Sequence, residues 1–98
     1  MRTENFQQIL EDLNGSSADV EASALISNDG LVIASALPAG IDDDRVGAMS
    51  AAWWSLGDRA GKELARGGID RIMIKGEKGY VNTTSAGDEA VLTVMAKP

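Results

Sequence analysis

The sequence predicts an α+β fold. A single five-stranded antiparallel sheet carries a short N-terminal helix on one face and a long central helix on the other. Three features predict it. Asn28-Asp29-Gly30 sits between two β-rich runs, and Asp-Gly supplies the positive φ angles that a tight hairpin turn needs. Three more short apolar runs, separated by glycine-containing turns, close the chain. Between these groups, Asp42 to Arg66 keeps its apolar residues at helical spacing throughout.

Taken in order, the first element is a helix over about Thr3 to Leu13. Phe6, Ile9, Leu10 and Leu13 share one face, Thr3 is placed to cap it, and Asn14-Gly15 stops it. Val20 to Ser27 is a strand with Val20, Ala22, Ala24 and Ile26 on one side, and its small residues imply close approach of a covering helix. Leu31 to Leu37 is apolar on both faces, as in a strand covered on both sides. Pro38-Ala39-Gly40 then breaks the pattern.

The long helix begins at Asp42 as N-cap, with Asp43 and Asp44 at the positive end of the helix dipole. Ile41 and Val46 are spaced as a hydrophobic staple, and Gly67-Gly68 ends the helix. The acidic triplet has a second reading as a metal site, but consecutive Asp side chains at a helix start diverge, so capping is preferred. At roughly 100° per residue, Val46, Met49, Trp53, Leu56, Ala60 and Leu64 form a large apolar stripe, assigned to the chain's own sheet. A neighbouring stripe of Gly47, Ser50, Gly57 and Gly61, with Trp54 among them, is assigned to a second helix from a partner, since small residues allow close approach and tryptophan often anchors interfaces. Ile69 to Lys75, Tyr80 to Ser85 and Glu89 to Ala96 form the closing meander. If Ile69 to Lys75 lies at the sheet edge, pairing with its own copy would satisfy it.

Composition narrows the function. The 98 residues suit one small domain spanning residues 1–98, and 44% hydrophobic content suits a globular core rather than disorder. A net charge of -6 argues against nucleic acid. No apolar run approaches the ~20 residues of a membrane span, and MRTENFQQIL lacks a cleavable apolar signal, so a cytoplasmic location is expected. With no Cys and no His, disulfides, thiolate nucleophiles, Ser-His-Asp triads and His-based zinc sites are excluded. No enzyme activity and no cofactor are expected. Gly57-Asp58-Arg59-Ala60-Gly61-Lys62-Glu63 imitates a phosphate loop, but it is one residue short, has Glu63 where a hydroxyl belongs, and lies within a helix. Asn82-Thr83-Thr84 matches a glycosylation sequon by chance.

Several stretches together resemble the Roadblock family, which includes dynein light chains and bacterial and archaeal regulators of Ras-like GTPases. They are Asp29-Gly30-Leu31-Val32-Ile33-Ala34-Ser35, the helix MSAAWWSLGDRAGKEL, Arg66 to Ile74, Gly79-Tyr80, and Asp88-Glu89-Ala90-Val91-Leu92. The likeness spans nearly the whole chain. It implies a profilin-like or longin-like sheet ordered 2-1-5-4-3, with dimers, homo- or heteromeric, formed through the long helix and third strand. It further implies a non-catalytic dimeric scaffold that binds a small Ras-like GTPase. Many members carry a further C-terminal helix, which this sequence lacks after Lys97-Pro98.

On that resemblance, the dimer interface is assigned to Gly47, Ser50, Trp54, Gly57, Gly61, Arg71, Met73 and Lys75. The GTPase surface is assigned to Ala48, Ala52, Ser55, Arg59, Lys62 and Glu63. The bland reading of Arg59, Lys62 and Arg66 is a solvated face suited to a helix C-terminus. Two other functions stay open. One is a purely structural dimer, and the other is a small-molecule sensor, which a cavity lined by strand residues would favour.

Overall fold

A computed structural model describes residues 3–98. The elements run α1 (Thr3–Gly15), β1 (Val20–Ser27), β2 (Val32–Ala36), α2 (Asp43–Glu63), β3 (Arg71–Gly76), β4 (Gly79–Ser85) and β5 (Ala90–Ala96). The strands form one antiparallel sheet in the order β2-β1-β5-β4-β3. Both the fold class and the strand order are those expected. Met1 and Arg2 lie outside the described residues, as does the Thr3 side chain, to which a capping role was assigned.

The β1–β2 turn forms as its sequence requires, with Gly30 at φ 88°. Leu25 opposes Ala34 while Ile26 opposes Val32, which leaves Ile33 as the extra residue of a bulge. That bulge turns Val32 onto the same face as Ile26. There, Ala24, Ile26, Val46 and Val91 form the buried core, with Val32, Leu37, Trp54 and Met95 packed around it. Leu31 falls outside the strand and is exposed.

On the other face, α1 covers β1 and β2, burying Leu10 and Ala34. Polar side chains tie it down. Ser23 Oγ donates to Asn14 Oδ1 at 2.7 Å, and Asn14 Nδ2 donates to the Ala36 carbonyl at 2.8 Å. The Gln7 side chain both donates to the Ser35 carbonyl and accepts from the Ser35 amide, as a neighbouring strand would. Edge strand β2 is therefore partly closed by α1. The helix runs past Asn14, whose amide serves this anchor instead of breaking the helix.

α2 starts as expected, with Asp42 Oδ1 accepting from the Asp44 amide at 3.0 Å. Its end differs from the expectation. The helix stops at Glu63, and the residue in the left-handed capping position is Ala65 at φ 59°, with Gly67 also at positive φ, 85°, two residues further on. The Arg66 amide donates to Gly61 O at 2.7 Å and the Ala65 amide to Lys62 O at 3.2 Å, the bonding pattern of a Schellman motif.

The larger correction concerns the two stripes of α2. The small stripe packs on the chain's own sheet. Gly47, Ser50 and Gly61 are buried within the single chain, and Trp54 packs against the core. A Cβ on Gly47 would lie 2.5 Å from Gly30 O, one on Gly57 2.6 Å from Ile72 Cδ1, and one on Gly61 2.6 Å from Gly67 O. These residues are small because the sheet and its loops press against them, so the assignment of Gly47, Ser50, Gly57, Gly61 and Trp54 to a partner helix does not hold. Of the large stripe, Val46 is buried and Trp53 half-buried, whereas Met49, Leu56 and Leu64 are 51%, 69% and 69% exposed.

Candidate functional site

Three exposed surfaces lie along α2 and β3: the outer side of α2, its apolar flank, and the edge strand β3. Ala48, Ala52, Ser55, Arg59, Lys62 and Glu63 are all exposed along the outer side. Its cations are not free. Arg59 Nε lies 3.2 Å from Glu63 Oε1, and Lys62 Nζ lies 3.1 Å from Asp58 Oδ2, both pairs one helical turn apart. Such exposed pairs add only ~0.3–0.5 kcal/mol each, so a partner carboxylate can displace them cheaply.

The flank is set by what holds α2 in place. Ser50 Oγ, Thr93 Oγ1 and Thr83 Oγ1 form a buried chain of hydroxyls with contacts of 2.7 and 2.9 Å. Trp53 Nε1 donates into its end at Thr83, also at 2.9 Å. An indole N–H only donates, so this bond ties Trp53 to the sheet, while Met49 and Leu56 on the same flank of the helix stay exposed. Below this flank, the register aligns Ala22, Met95, Val81 and Ile74 in one row across four strands. The row ends at β3 with Ile74 42% exposed.

β3 lies at the sheet edge, where its sequence suggested. The Ser85 amide donates to Asp70 O at 3.4 Å, so by the alternation of an antiparallel ladder the peptide groups of Arg71, Met73 and Lys75 point away from β4. All three side chains are exposed on the face opposite α2, Met73 by 53%. Lys75 Nζ sits 5.8 Å from the Tyr80 ring centroid. Unlike β2, this edge has no side chain bonded along it among the described residues.

The acidic triplet behaves as a cap. Carboxylate oxygens of Asp42, Asp43 and Asp44 come within 4.8 Å of one another, closer than divergence would place them, but all three are exposed and Asp42 is engaged with the backbone. No helix among the described residues is long and apolar enough to cross a membrane. Sequence reasoning missed Met49, Leu56 and Ile74 as exposed apolar residues, although the crowding of α2 by small residues was a usable signal.

The fold and these surfaces define a small α+β module with an open strand edge beside an apolar helix flank. The chain belongs to the Roadblock/LC7 domain family, whose profile matches residues 6–96. It is 38% identical over 90 residues to the uncharacterized protein MJ0714 of Methanocaldococcus jannaschii, an alignment covering 92% of this chain and 75% of that one. Among solved structures, a Roadblock/LC7 domain from Streptomyces avermitilis superposes with a TM-score of 0.86 at 22% identity, over 93% of this chain and 77% of the other. Myxococcus xanthus MglB gives 0.88 at 18% identity, over 97% and 71%. An MglB structure with a tetrameric arrangement gives 0.87 at 19% identity, over 97% and 72%. At these identities the structural likenesses establish the fold.

Proposed function

We propose that this chain is a non-catalytic regulatory scaffold that self-associates and binds a small Ras-like GTPase in the cytoplasm. The observation that carries the self-association is the contrast between the two sheet edges. Gln7 closes β2, while β3 leaves Arg71, Met73 and Lys75 open beside the exposed Ile74. An open edge next to exposed apolar side chains is unfavourable in an isolated chain and favourable in a paired one.

The interface of the proposed dimer therefore keeps Arg71, Met73 and Lys75, and takes Met49, Leu56 and Ile74 in place of the glycine stripe. Two-fold pairing of β3 with both α2 helices on one side requires residues of the same face to oppose each other. Centring on Met73 would set Arg71 against Lys75 of the partner chain. Centring on Ile72 sets Arg71 against Met73 instead and avoids opposing like charges, so that register is preferred. The tetrameric arrangement of an MglB relative supports self-assembly as a use of this fold.

The GTPase reading rests on family membership and on the outer side of α2, where Ala48, Ala52, Ser55, Arg59, Lys62 and Glu63 are accessible and two of the cations are only weakly engaged. The test is binding of the purified chain to Ras-like GTPases of its own genome, loaded with GDP or a GTP analogue. Charge reversal at Arg59 and Lys62 should weaken a complex without loss of fold. Unchanged affinity would remove these residues from the surface, and no complex with any such GTPase would sink the reading.

A further inference from the structure

On the opposite flank of α2 from Met49 and Leu56, a cleft of about 340 Å³ opens between the helix and the turn ends of β1, β4 and β5. This volume falls at the lower end of the ~300–1,000 Å³ of small-molecule sites. Trp54 forms one wall, held in place by its packing on the core. Asp58 enters from the helix, Asp88 from the β4–β5 turn, and Ser55 and Ser85 bring hydroxyls. The turn that carries Asp88 is fixed: Asn28 Nδ2 donates to the Asp88 carbonyl at 3.2 Å, and Ser85 Oγ donates to Gly87 O at 3.0 Å.

The lining has two carboxylates, an indole and no basic side chain. A π face and a carboxylate together favour an organic cation. A hard divalent metal wants six or more oxygen ligands, and the one group of three or more possible metal ligands among the described residues lies elsewhere, at Asp42 to Asp44. An ammonium already rests on the cleft's carboxylate, since Lys62 Nζ is 3.1 Å from Asp58 Oδ2, with both side chains partly exposed.

We propose that this cleft binds a small guanidinium or ammonium compound, stacked on Trp54 and paired with Asp58, and that Lys62 competes with it from the chain's own helix. Such a site adds ligand sensing to a scaffold, and it stands independently of any GTPase. Because Lys62 also belongs to the proposed partner surface, a protein that engaged Lys62 would free Asp58 for the ligand, and by linkage the ligand would favour that protein.

The test titrates the purified chain with n-butylguanidinium, and with n-butylurea as its neutral counterpart, while following the two indole N–H resonances. Trp53, bonded to Thr83, reports on the fold. Trp54 reports on the cleft. The expected result is a saturable shift of the Trp54 signal by the cation at millimolar concentration, none with the urea, and a steady Trp53 signal. Asp58→Asn should weaken binding roughly tenfold, the cost of one charge-assisted hydrogen bond. Lys62→Gln should tighten it. No saturation in the parent chain, equal responses to the two compounds, or unchanged affinity in Asp58→Asn would each overturn the proposal. No partner protein is present, so failure here and failure of GTPase binding are separate results.

Discussion

Ser50 Oγ of α2 lies 2.7 Å from Thr93 Oγ1 of β5, the middle strand, and both residues are buried. This contact registers the long helix on the sheet, and Thr83 and Trp53 extend it. Thr93→Val should be the more costly change, because it strips Ser50 of its partner and breaks the chain in the middle. A loss of ~1–3 kcal/mol is expected in urea unfolding. Ser50→Ala leaves Thr93 bonded to Thr83 and should cost ~1 kcal/mol. The double variant should cost less than the sum of the two, since the groups share one network. Strict additivity would show that the hydroxyls act separately.

Gly47→Ala and Gly57→Ala should both destabilise the single chain, and unequally. The new Cβ at position 47 would meet the backbone oxygen of Gly30, whereas at position 57 it meets the flexible end of Ile72. Overpacking of this kind costs ~1–3 kcal/mol, and Gly47 should lie at the upper end. Chemical unfolding at several protein concentrations separates this from dimerisation. A loss that vanishes on dilution would return the glycines to an interface.

The α2 stripes show where the sequence was legible and where it was not. The hairpin at Asp29-Gly30, the meander, the helix and its Asp42 cap all follow from local chemistry, and each forms as expected. The orientation of α2 depends on how close the helix comes to the sheet, which is a tertiary quantity. Hydrophobic periodicity ranks Leu56 and Met49 above Gly57 and Ser50, whereas close approach to Gly30, Ile72 and Thr93 selects the small residues. The small inner face of β1 did announce a near helix. It could not say whether the glycines faced that strand or a second chain. The role of Asn14 was hidden in the same way, because its partners Ser23 and Ala36 are distant in sequence.

Ala65→Gly should stabilise the chain. Ala65 holds φ 59° at the position where helices favour glycine, and its amide and that of Arg66 already make the capping bonds. The left-handed conformation costs a residue with a Cβ ~1–2 kcal/mol, partly offset by the greater chain entropy that glycine loses on folding. A net gain of about 0.5–1 kcal/mol is expected, read as a higher midpoint in thermal or urea unfolding. A loss of stability would mean that the Ala65 methyl makes packing contacts that outweigh its backbone strain.

Met73→Pro tests the open edge directly. Because the peptide groups of Asp70, Ile72 and Ile74 serve the β4 ladder and those of Arg71, Met73 and Lys75 face outward, proline at position 73 removes no bond within the chain. It removes a donor that only a neighbouring strand could use, and it places a ring in that strand's path. The variant should keep its fold and become monomeric by light scattering at concentrations where the parent is dimeric. Ile72→Pro is the control. It deletes an internal ladder bond and disturbs the contact with Gly57, so it should unfold the β3 end of the sheet. A folded Met73→Pro chain that still dimerises as well as the parent would exclude β3 pairing and leave the Met49 and Leu56 flank as the remaining candidate surface.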